Sequence, residues 1–337
     1  MGQLIHPQDG SKPKNVCYCT TNFTPRTLFK ELLINNDYRK SAIKELFKPL
    51  ATFSHASEFD YDCILLDEAH RAFQWKFGQG IKRDIDMIDK VFYASRINVF
   101  FIDEDQIVTK NDYLTIERIK EYAKKYNSEI IETEELCLYS QFRCLGGNYY
   151  IDFIDSLLGY CDSVSKYNNP NYEFKVFDSA CSLWEAIKEK QTHFVKTRLL
   201  AGYTHNWLSK DDDSLFDFIL DDGNFKMKWN KKVDWSYIND PEQEDRVGCI
   251  HTIQGVDMDY AGVIIGKDLV YRNGKIIFNQ MENAITDIAS GIRKALPLDA
   301  AKMIRNTYKV LLTRAIYGTY VYCEDEELSK YIKKFLK

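Results

Sequence analysis

The stretch YDCILLDEAHR, residues 61–71, decides the fold class of this chain. A short apolar run ends in two adjacent carboxylates, Asp67 and Glu68, which is the pattern of a buried strand in a parallel sheet. Residues that follow such a strand lie at its carboxyl end, where open α/β sheets bind their ligands. The pattern therefore predicts an α/β protein with a ligand site at these carboxylates. The structural alternative is a helix start, because negative charge is favoured at helix N-termini.

The rest of the chain repeats this alternation of short strands with amphipathic helices, which indicates parallel sheets. Apolar residues recur at helical spacing over residues 113–126, and Asn111 or Asp112 can cap that helix. The polar stretch 161–172 is predicted to be a loop near a domain junction. Strands are predicted at residues 16–21, 63–66, 98–102, 129–132, 197–203, 247–252, 262–266 and 318–322.

Length and composition set further limits. A chain of 337 residues favours two packed domains. It contains no apolar run long enough to cross a membrane and no secretory signal, and its nine cysteines include no CxxC pair. We therefore expect a cytoplasmic protein with reduced thiols. The net charge of −5 argues against a basic coat, but a local phosphate-binding groove remains compatible with it.

Residues 98–106, NVFFIDEDQ, place Asp103 and Gln106 beyond a second strand. A glutamine there can hydrogen-bond a γ-phosphate or the attacking water, and a capped helix start is the structural alternative. In SQFR, residues 140–143, Arg143 can reach a phosphate bound to another domain and offset transition-state charge. A surface ion pair is the simpler interpretation of a single arginine.

The second half carries VGCIHTIQGVDMDYAGVIIG, residues 247–266. Its polar turn can hold a nucleic-acid backbone through Thr252 and backbone N–H groups, with Gln254 near a nucleotide. In YKVLLTRA, residues 308–315, Arg314 follows an apolar run and is a second candidate for stabilising phosphate charge.

Together these stretches resemble the motifs of superfamily 1 helicases, and in particular the Schlafen group 3-type DNA/RNA helicase domain. DEAHR resembles motif II (Walker B), IDEDQ motif III, SQFRC motif IV, HTIQG motif V and LLTRA motif VI. NVCYCTTNFTPR resembles the motif Ia strand, and Trp229, Asn230 and Trp235 precede motif V as in that family. Each motif alone is weak to moderate, but their order from about residue 14 onward is specific.

The resemblance implies two RecA-like P-loop NTPase domains that use ATP and Mg²⁺ and act on single-stranded DNA or RNA. Expected limits are 1–143 for the first domain, with motifs Ia to IV, 144–190 for a helical and loop junction, and 191–337 for the second domain. The implied catalytic residues are Glu68, Gln106, Arg143 and Arg314, with Asp67 holding Mg²⁺. The implied nucleotide contacts are Asp67, Asp103, Gln254 and Asp257, and the implied nucleic-acid contacts are Asn22, Arg26, His251 and Thr252. Asp257 stands where the family usually has Glu, and its side chain is one methylene shorter for a ribose contact.

One element of the pattern is missing. The family's phosphate loop, G-x-x-x-x-G-K-[ST], should precede the motif Ia strand, and no such sequence occurs in these 337 residues. GVIIGK, residues 262–267, has the wrong glycine spacing and an aspartate where Ser or Thr should stand. We therefore expect the first domain to lack its P-loop strand and helix. A fragment, a misplaced start and half of a split gene are the three explanations.

These observations predict the motor region of an ATP-dependent DNA/RNA helicase or translocase that is inactive alone and that needs an upstream polypeptide carrying the P-loop. The alternatives are a non-catalytic nucleic-acid-binding remnant and a product without function. The retained Asp-Glu pair, glutamine and arginines favour the motor.

Overall fold

The computed structural model describes residues 14–20, 30, 33–35, 40–75, 85–112, 114–138, 144–161, 163–231, 237–253 and 256–336. The chain divides into two compact units, which we call unit 1 and unit 2. Unit 1 comprises Met1–Ile107 and Asn111–Cys137, and unit 2 comprises Val108–Lys110 and Leu138–Lys337. Among the described residues, no helix has the length and apolar character needed to cross a membrane.

Unit 1 is built on a parallel sheet with the strand order β2-β1-β3-β6. These strands are β1 (Val16–Thr20), β2 (Phe47–Lys48), β3 (Tyr61–Asp67) and β6 (Ser95–Phe100), while β4 (Gln74–Trp75) and β5 (Ile85–Asp86) form a small antiparallel ladder. The predicted strands at 16–21, 63–66 and 98–102 are thus present with shifted ends. Apolar, β-branched and cysteine residues make β1 and β3 fit the interior of a parallel sheet.

The helices of unit 1 are α1 (Lys40–Leu46), α2 (Met87–Ala94) and α3 (Ile116–Lys125). The N-terminus of α2 is capped by Asp86, whose carboxylate accepts from two backbone N–H groups. Thr115 caps α3 through the N–H of Arg118, so the predicted caps Asn111 and Asp112 were wrong by a few residues.

The strand predicted at residues 129–132 is not formed. These residues lie outside any strand ladder, and the side chains of Ile130 and Ile131 are 45% and 72% exposed. Strand β6 shows a related feature, because Ile97 at its middle is 60% exposed. A β-prone segment forms a strand only where a neighbouring strand accepts its hydrogen bonds, and none of the described residues does so for 129–132.

Unit 2 is built on a seven-stranded sheet with the order β7-β15-β12-β8-β11-β10-β9. Its ladders are parallel except for the antiparallel pair β9–β10. The strands are β7 (Glu173–Phe177), β8 (Thr197–Ala201), β9 (Phe218–Leu220), β10 (Phe225–Trp229), β11 (Arg246–Cys249), β12 (Met258–Ile265) and β15 (Ala315–Cys323), and β13 (Leu269–Arg272) pairs with β14 (Lys275–Phe278) as a separate hairpin. Strand β7 lies within residues 144–190, where we expected a junction.

Helices cover both faces of this sheet. They are α4 (Gly147–Leu157), α5 (Ala180–Gln191), α6 (Ile250–Ile253), α7 (Pro297–Leu312) and α8 (Glu326–Lys333). Along β8, Leu199 and Ala201 belong to the core cluster that contains α5, whereas Leu200 belongs to the cluster that contains α4, α7 and α8. This alternation follows from the two-residue period of a strand, and it buries every residue of β8. The structure thus confirms an α/β protein with largely parallel sheets.

Candidate nucleotide and nucleic-acid sites

The carboxyl edge of the unit 1 sheet brings together the residues predicted in motifs II and III. Asp67 is the last residue of β3 and pairs in register with Thr20, and Leu66 pairs with Phe100 at the end of β6. The chain then continues from β3 into Glu68 and from β6 towards Asp103. Because parallel strands end at the same edge, these polar residues lie at one edge of adjacent strands.

Both carboxylate oxygens of Asp67 are held by neighbouring groups. The hydroxyl of Tyr18, on the adjacent strand β1, donates to Oδ2, and the backbone N–H of Glu68 donates to Oδ1 at 3.0 Å. Burial and the hydrogen bond to Asp67 raise the pKa of Tyr18 well above its usual value, so the phenol stays a donor. The orientation of the Asp67 carboxylate is therefore fixed by the fold.

Glu68 adopts an unusual backbone conformation, with φ 52° and ψ 45° in the left-handed region. A residue with a Cβ reaches that region only with strain, and such strain is concentrated at functional sites. The Oε2 atom of Glu68 lies 3.2 Å from Nε2 of His70, whose side chain is 1% exposed. The turn therefore brings the second carboxylate against a buried imidazole, a partner that our interpretation of DEAHR had not assigned.

The predicted sensor Gln106 donates through Nε2 to Oδ2 of Asp103 at 2.9 Å. The other oxygen of Asp103 accepts the backbone N–H of Asp105 and so caps the short 3₁₀ helix Glu104–Gln106. Asp103 is exposed and Gln106 is half-buried. The pair is thus preformed at the edge, with part of the glutamine side chain open to solvent.

The donor atoms at this edge fit Mg²⁺ in type, because Mg²⁺ in nucleotide sites is held by one or two carboxylates together with phosphate oxygens and water. Asp67 and Glu68 supply those carboxylates, and the orientation of Asp67 is fixed by Tyr18. No group of three or more His, Cys, Asp and Glu side chains among the described residues forms a self-sufficient metal site. A Mg²⁺ ion here would therefore need ligands from a bound nucleotide.

Four predicted site residues lie outside the described residues: Asn22, Arg26, Arg143 and Gln254. Their roles stay predictions.

In unit 2, His251 and Thr252 lie at the carboxyl edge of the sheet. Cys249, the last residue of β11, pairs with Ala201 at the end of β8, and α6 begins at the next residue. The Thr252 hydroxyl accepts from Nδ2 of Asn230 at 2.9 Å, and Oδ1 of Asn230 accepts the N–H of Cys249 at 3.1 Å. Buried Asn230 thereby ties the end of β10 to the turn after β11.

Asp257 and Arg314 lie at the opposite, amino edge of the same sheet. Met258 and Ala315 are the first residues of β12 and β15 and pair with each other, so the residues before them occupy adjacent positions. Asp257 is exposed, whereas Arg314 is only 3% exposed. Asp257 and Arg314 thus lie at one edge of this sheet, and His251 and Thr252 lie at the other.

The sequence interpretation missed four residues that shape these edges. They are Tyr18, His70, Asn230 and Asp287. Asn230 is the residue that anchors Thr252. Asn230 was noted only as part of a family pattern, and His70 stands within DEAHR. No local sequence signal marks Tyr18 or Asp287. Their partners, Asp67 and His251 respectively, are 49 and 36 positions away in the chain.

Comparison with known proteins identifies the chain's relatives. Residues 3–325 match the family described as Schlafen group 3, DNA/RNA helicase domain. The uncharacterized protein YPL245W of Saccharomyces cerevisiae is 26% identical over 339 aligned positions, which cover 90% of this chain and 72% of that protein.

Two solved structures of DEAD-box type are weakly similar. One is S. cerevisiae Dbp5 bound to RNA and ADP BeF3, at 12% identity and a TM-score of 0.32, with coverage of 99% of this chain and 77% of the other. The second is a DEAD box protein of Methanococcus jannaschii, at 13% identity and a TM-score of 0.28, with coverage of 95% and 77%. Both TM-scores are low, so we draw nothing on fold or function from them. The family match spans most of the sequence, and this chain belongs to the Schlafen group 3, DNA/RNA helicase domain family.

Proposed function

We propose that the chain is the motor region of an ATP-dependent DNA/RNA helicase or translocase, with two RecA-like units that act on single-stranded nucleic acid in the cytoplasm. The observation that carries the proposal is the carboxyl edge of unit 1, where Asp67, Glu68 and Gln106 follow adjacent parallel strands. Family membership supports the same function. The domain limits 1–143, 144–190 and 191–337 are part of this proposal.

Each residue has a chemical role in the proposed reaction. Mg²⁺, when bound with nucleotide, would neutralise phosphate charge, and Asp67 would hold it. Glu68 would accept the proton of the attacking water, with His70 at its Oε2 fixing its position. Gln106 would exchange its hydrogen bond to Asp103 for one to the water or γ-phosphate. Arg143 and Arg314 would stabilise transition-state charge, Gln254 and Asp257 would contact the nucleotide, and Asn22, Arg26, His251 and Thr252 would contact the nucleic-acid strand.

The sequence supplies carboxylates for Mg²⁺, but it does not supply the loop that binds the nucleotide phosphates. These 337 residues contain no G-x-x-x-x-G-K-[ST] sequence, whose backbone N–H groups and lysine bind the phosphates. We propose that a further strand carrying such a loop joins the sheet of unit 1. Exposed Ile97 on β6 supports this, since a strand added beside β6 would cover apolar surface there. Ile130, Ile131 and Leu136 leave further apolar surface exposed in the segment after α3.

A non-catalytic nucleic-acid-binding module is the second candidate. The turn after β11 supports it, because Asn230 holds that turn through hydrogen bonds within the chain itself. The two candidates differ in whether ATP turnover should appear once a phosphate loop is supplied.

The test is a reconstitution in which one strand, a phosphate loop and its helix are fused ahead of Met1. The motor predicts that ATP turnover appears and that Glu68→Gln abolishes it. Arg314→Lys and Arg314→Ala should lower the rate by roughly 10³-fold or more, with little change in ATP affinity. Arg272→Ala is the control, because Arg272 pairs with Asp325 and Glu327 at a half-exposed surface position. A fused protein that folds and binds ATP without turnover, but still binds single strands, would establish the binding module instead.

A further inference from the structure

The structure shows a buried carboxylate behind the nucleic-acid turn of unit 2. Oδ1 of Asp287 lies 3.5 Å from Nε2 of His251, which is an ion-pair distance rather than a hydrogen bond. The Asp287 side chain is 2% exposed, whereas that of His251 is 25% exposed. Nε2 of His251 is itself buried, so the exposed quarter of this side chain lies in its other atoms. The imidazole thus faces a carboxylate at Nε2, while other atoms of the side chain are open to solvent.

Asp287 is held in place by its own loop. The backbone N–H of Ser290 donates to Oδ1 at 3.1 Å, and Nδ2 of Asn283 donates to Oδ2 at 3.3 Å. The same Asn283 amide donates to the backbone oxygen of Tyr203, just after β8, and the N–H of Ala284 donates to that oxygen at 2.8 Å. The Asp287 carboxylate is therefore held in a fixed position at the carboxyl edge of the sheet.

A third contact limits the imidazole ring. The ring of Tyr203 lies 6.1 Å from that of His251 and stacks on Trp229 at 4.8 Å. With a carboxylate at one nitrogen and a fixed aromatic ring beside it, His251 has little freedom to turn. Thr252, the next residue, is itself anchored by Asn230.

We propose that Asp287 is a positioning residue for nucleic-acid binding: it orients the ring of His251, so that the imidazole contacts a phosphate of a single strand at the turn after β11. This inference rests on the proposed function and adds a residue far from motif V in sequence. An oriented imidazole beside an anchored hydroxyl suits a phosphate group, whose oxygens accept hydrogen bonds.

The charges around the pair support this assignment. Burial opposes ionisation of Asp287, but His251 and the hydrogen bonds from Ser290 outweigh it and hold the pKa of Asp287 below its usual value. Burial raises the pKa of the Tyr203 phenol and of the Cys249 thiol, so both groups stay neutral near pH 7. Asp217, whose charge also reaches Tyr203, is occupied by Ser209 and by the N–H of Trp229. Asp287 is therefore the anion that the histidine faces directly.

The experiment measures binding of labelled single-stranded DNA and RNA oligonucleotides to the 337-residue chain by fluorescence anisotropy. Asp287→Asn should weaken binding roughly tenfold. His251→Gln should weaken binding by a similar factor, and Asp287→Asn combined with it should add nothing. Asp287→Glu should restore part of the wild-type affinity.

The matched control is Asp325→Asn. Asp325 is also a buried carboxylate with a lowered pKa, but it pairs with Arg272 and not with His251. This variant should leave the affinity unchanged, and thermal unfolding checks that all variants fold. If Asp287→Asn leaves the affinity unchanged, or if its effect adds to that of His251→Gln, the positioning role is wrong. A wild-type chain that binds no single strand at all would instead overturn the proposed function.

Discussion

The two sheets of this molecule differ in how completely their strands are covered. In unit 2, all five residues of β8 are buried, and helices pack on both faces of the sheet. In unit 1, strand β6 is mostly exposed or half-buried, and the segment after α3 leaves Ile131 and Leu136 72% and 62% exposed. The difference teaches that the residues proposed for catalysis can be held in position beside a strand whose side chains are largely exposed. Unit 1 presents Asp67 and Glu68 at an edge whose neighbouring apolar surface is open to solvent.

The largest expected effect comes from a core change in unit 2, set against a change at an exposed strand position in unit 1. Trp229 is fully buried, stacks on Tyr203 and donates to the backbone oxygen of His205. Trp229→Ala should therefore destabilise unit 2 by about 3–5 kcal/mol. Ile97→Ala, on the exposed strand β6, should change the stability of unit 1 by no more than about 0.5 kcal/mol.

Chemical denaturation with separate probes for the two units measures both effects. In the reconstituted protein, a strand beside β6 would bury Ile97. Ile97→Ala should then lower the free energy of unfolding of unit 1 by about 2 kcal/mol or more. A large loss from Ile97→Ala in the chain alone would show that β6 is already covered in solution.

The second effect concerns a proton in unit 2. Burial raises the pKa of Asp268 to about 7, although the Tyr308 hydroxyl donates to the same carboxyl group. The folded unit therefore keeps a proton that the unfolded chain releases near pH 4, so unit 2 should lose stability as pH rises from about 4 to about 7. The loss should not exceed about 4 kcal/mol, at ~1.4 kcal/mol per pKa unit.

Asp268→Asn should flatten this slope in unfolding experiments performed across that pH range. The opposite sign is expected for Asp325, whose pKa is lowered chiefly through Arg272 against the cost of burial. Its contribution is present at neutral pH and is lost as pH falls through the acid range. An unchanged slope in Asp268→Asn would contradict the assignment of this proton.

The smallest effect concerns the nucleic-acid turn. We expect the chain to bind single strands weakly without nucleotide, with an affinity that falls steeply with salt. Thr252→Val removes one of the two acceptors of the Asn230 amide, which also donates to the backbone oxygen of Lys231, and should weaken binding several-fold, on the scale of about 1 kcal/mol. Thr192→Ala is the control, because Thr192 is exposed at the end of α5 and its hydroxyl donates to the backbone oxygen of Glu189. Equal affinities of the two variants, measured by anisotropy, would remove Thr252 from the binding surface.

Much of the fold could be predicted because its signals are local. Buried strands such as β1, β3 and β12 are short apolar runs, and the carboxylates after β3 are marked by the strand that precedes them. The strand predicted at 129–132 was wrong for a non-local reason, since its apolar residues find no neighbouring strand among the described residues.

The prediction of site residues was limited in the same way, because it found only residues that a local pattern marks. Asp67, Glu68, Gln106 and Thr252 follow strand ends and could be found from the sequence. Their partners could not, because Tyr18 meets Asp67 through the β1–β3 pairing and Asn230 meets Thr252 across two strand ends. Such contacts depend on strand order, which no local pattern specifies.

The most direct test of the account is hydrogen exchange at the backbone of β6, with and without the fused strand, phosphate loop and helix. In the chain alone, the amides of β6 (Ser95–Phe100) that are not bonded to β3 should exchange quickly. In the fused protein, these amides should become strongly protected, while exchange in β8 and β12 of unit 2 stays unchanged. If the fused protein folds and binds ATP but β6 exchanges as before, the proposed strand does not join the sheet of unit 1 beside β6.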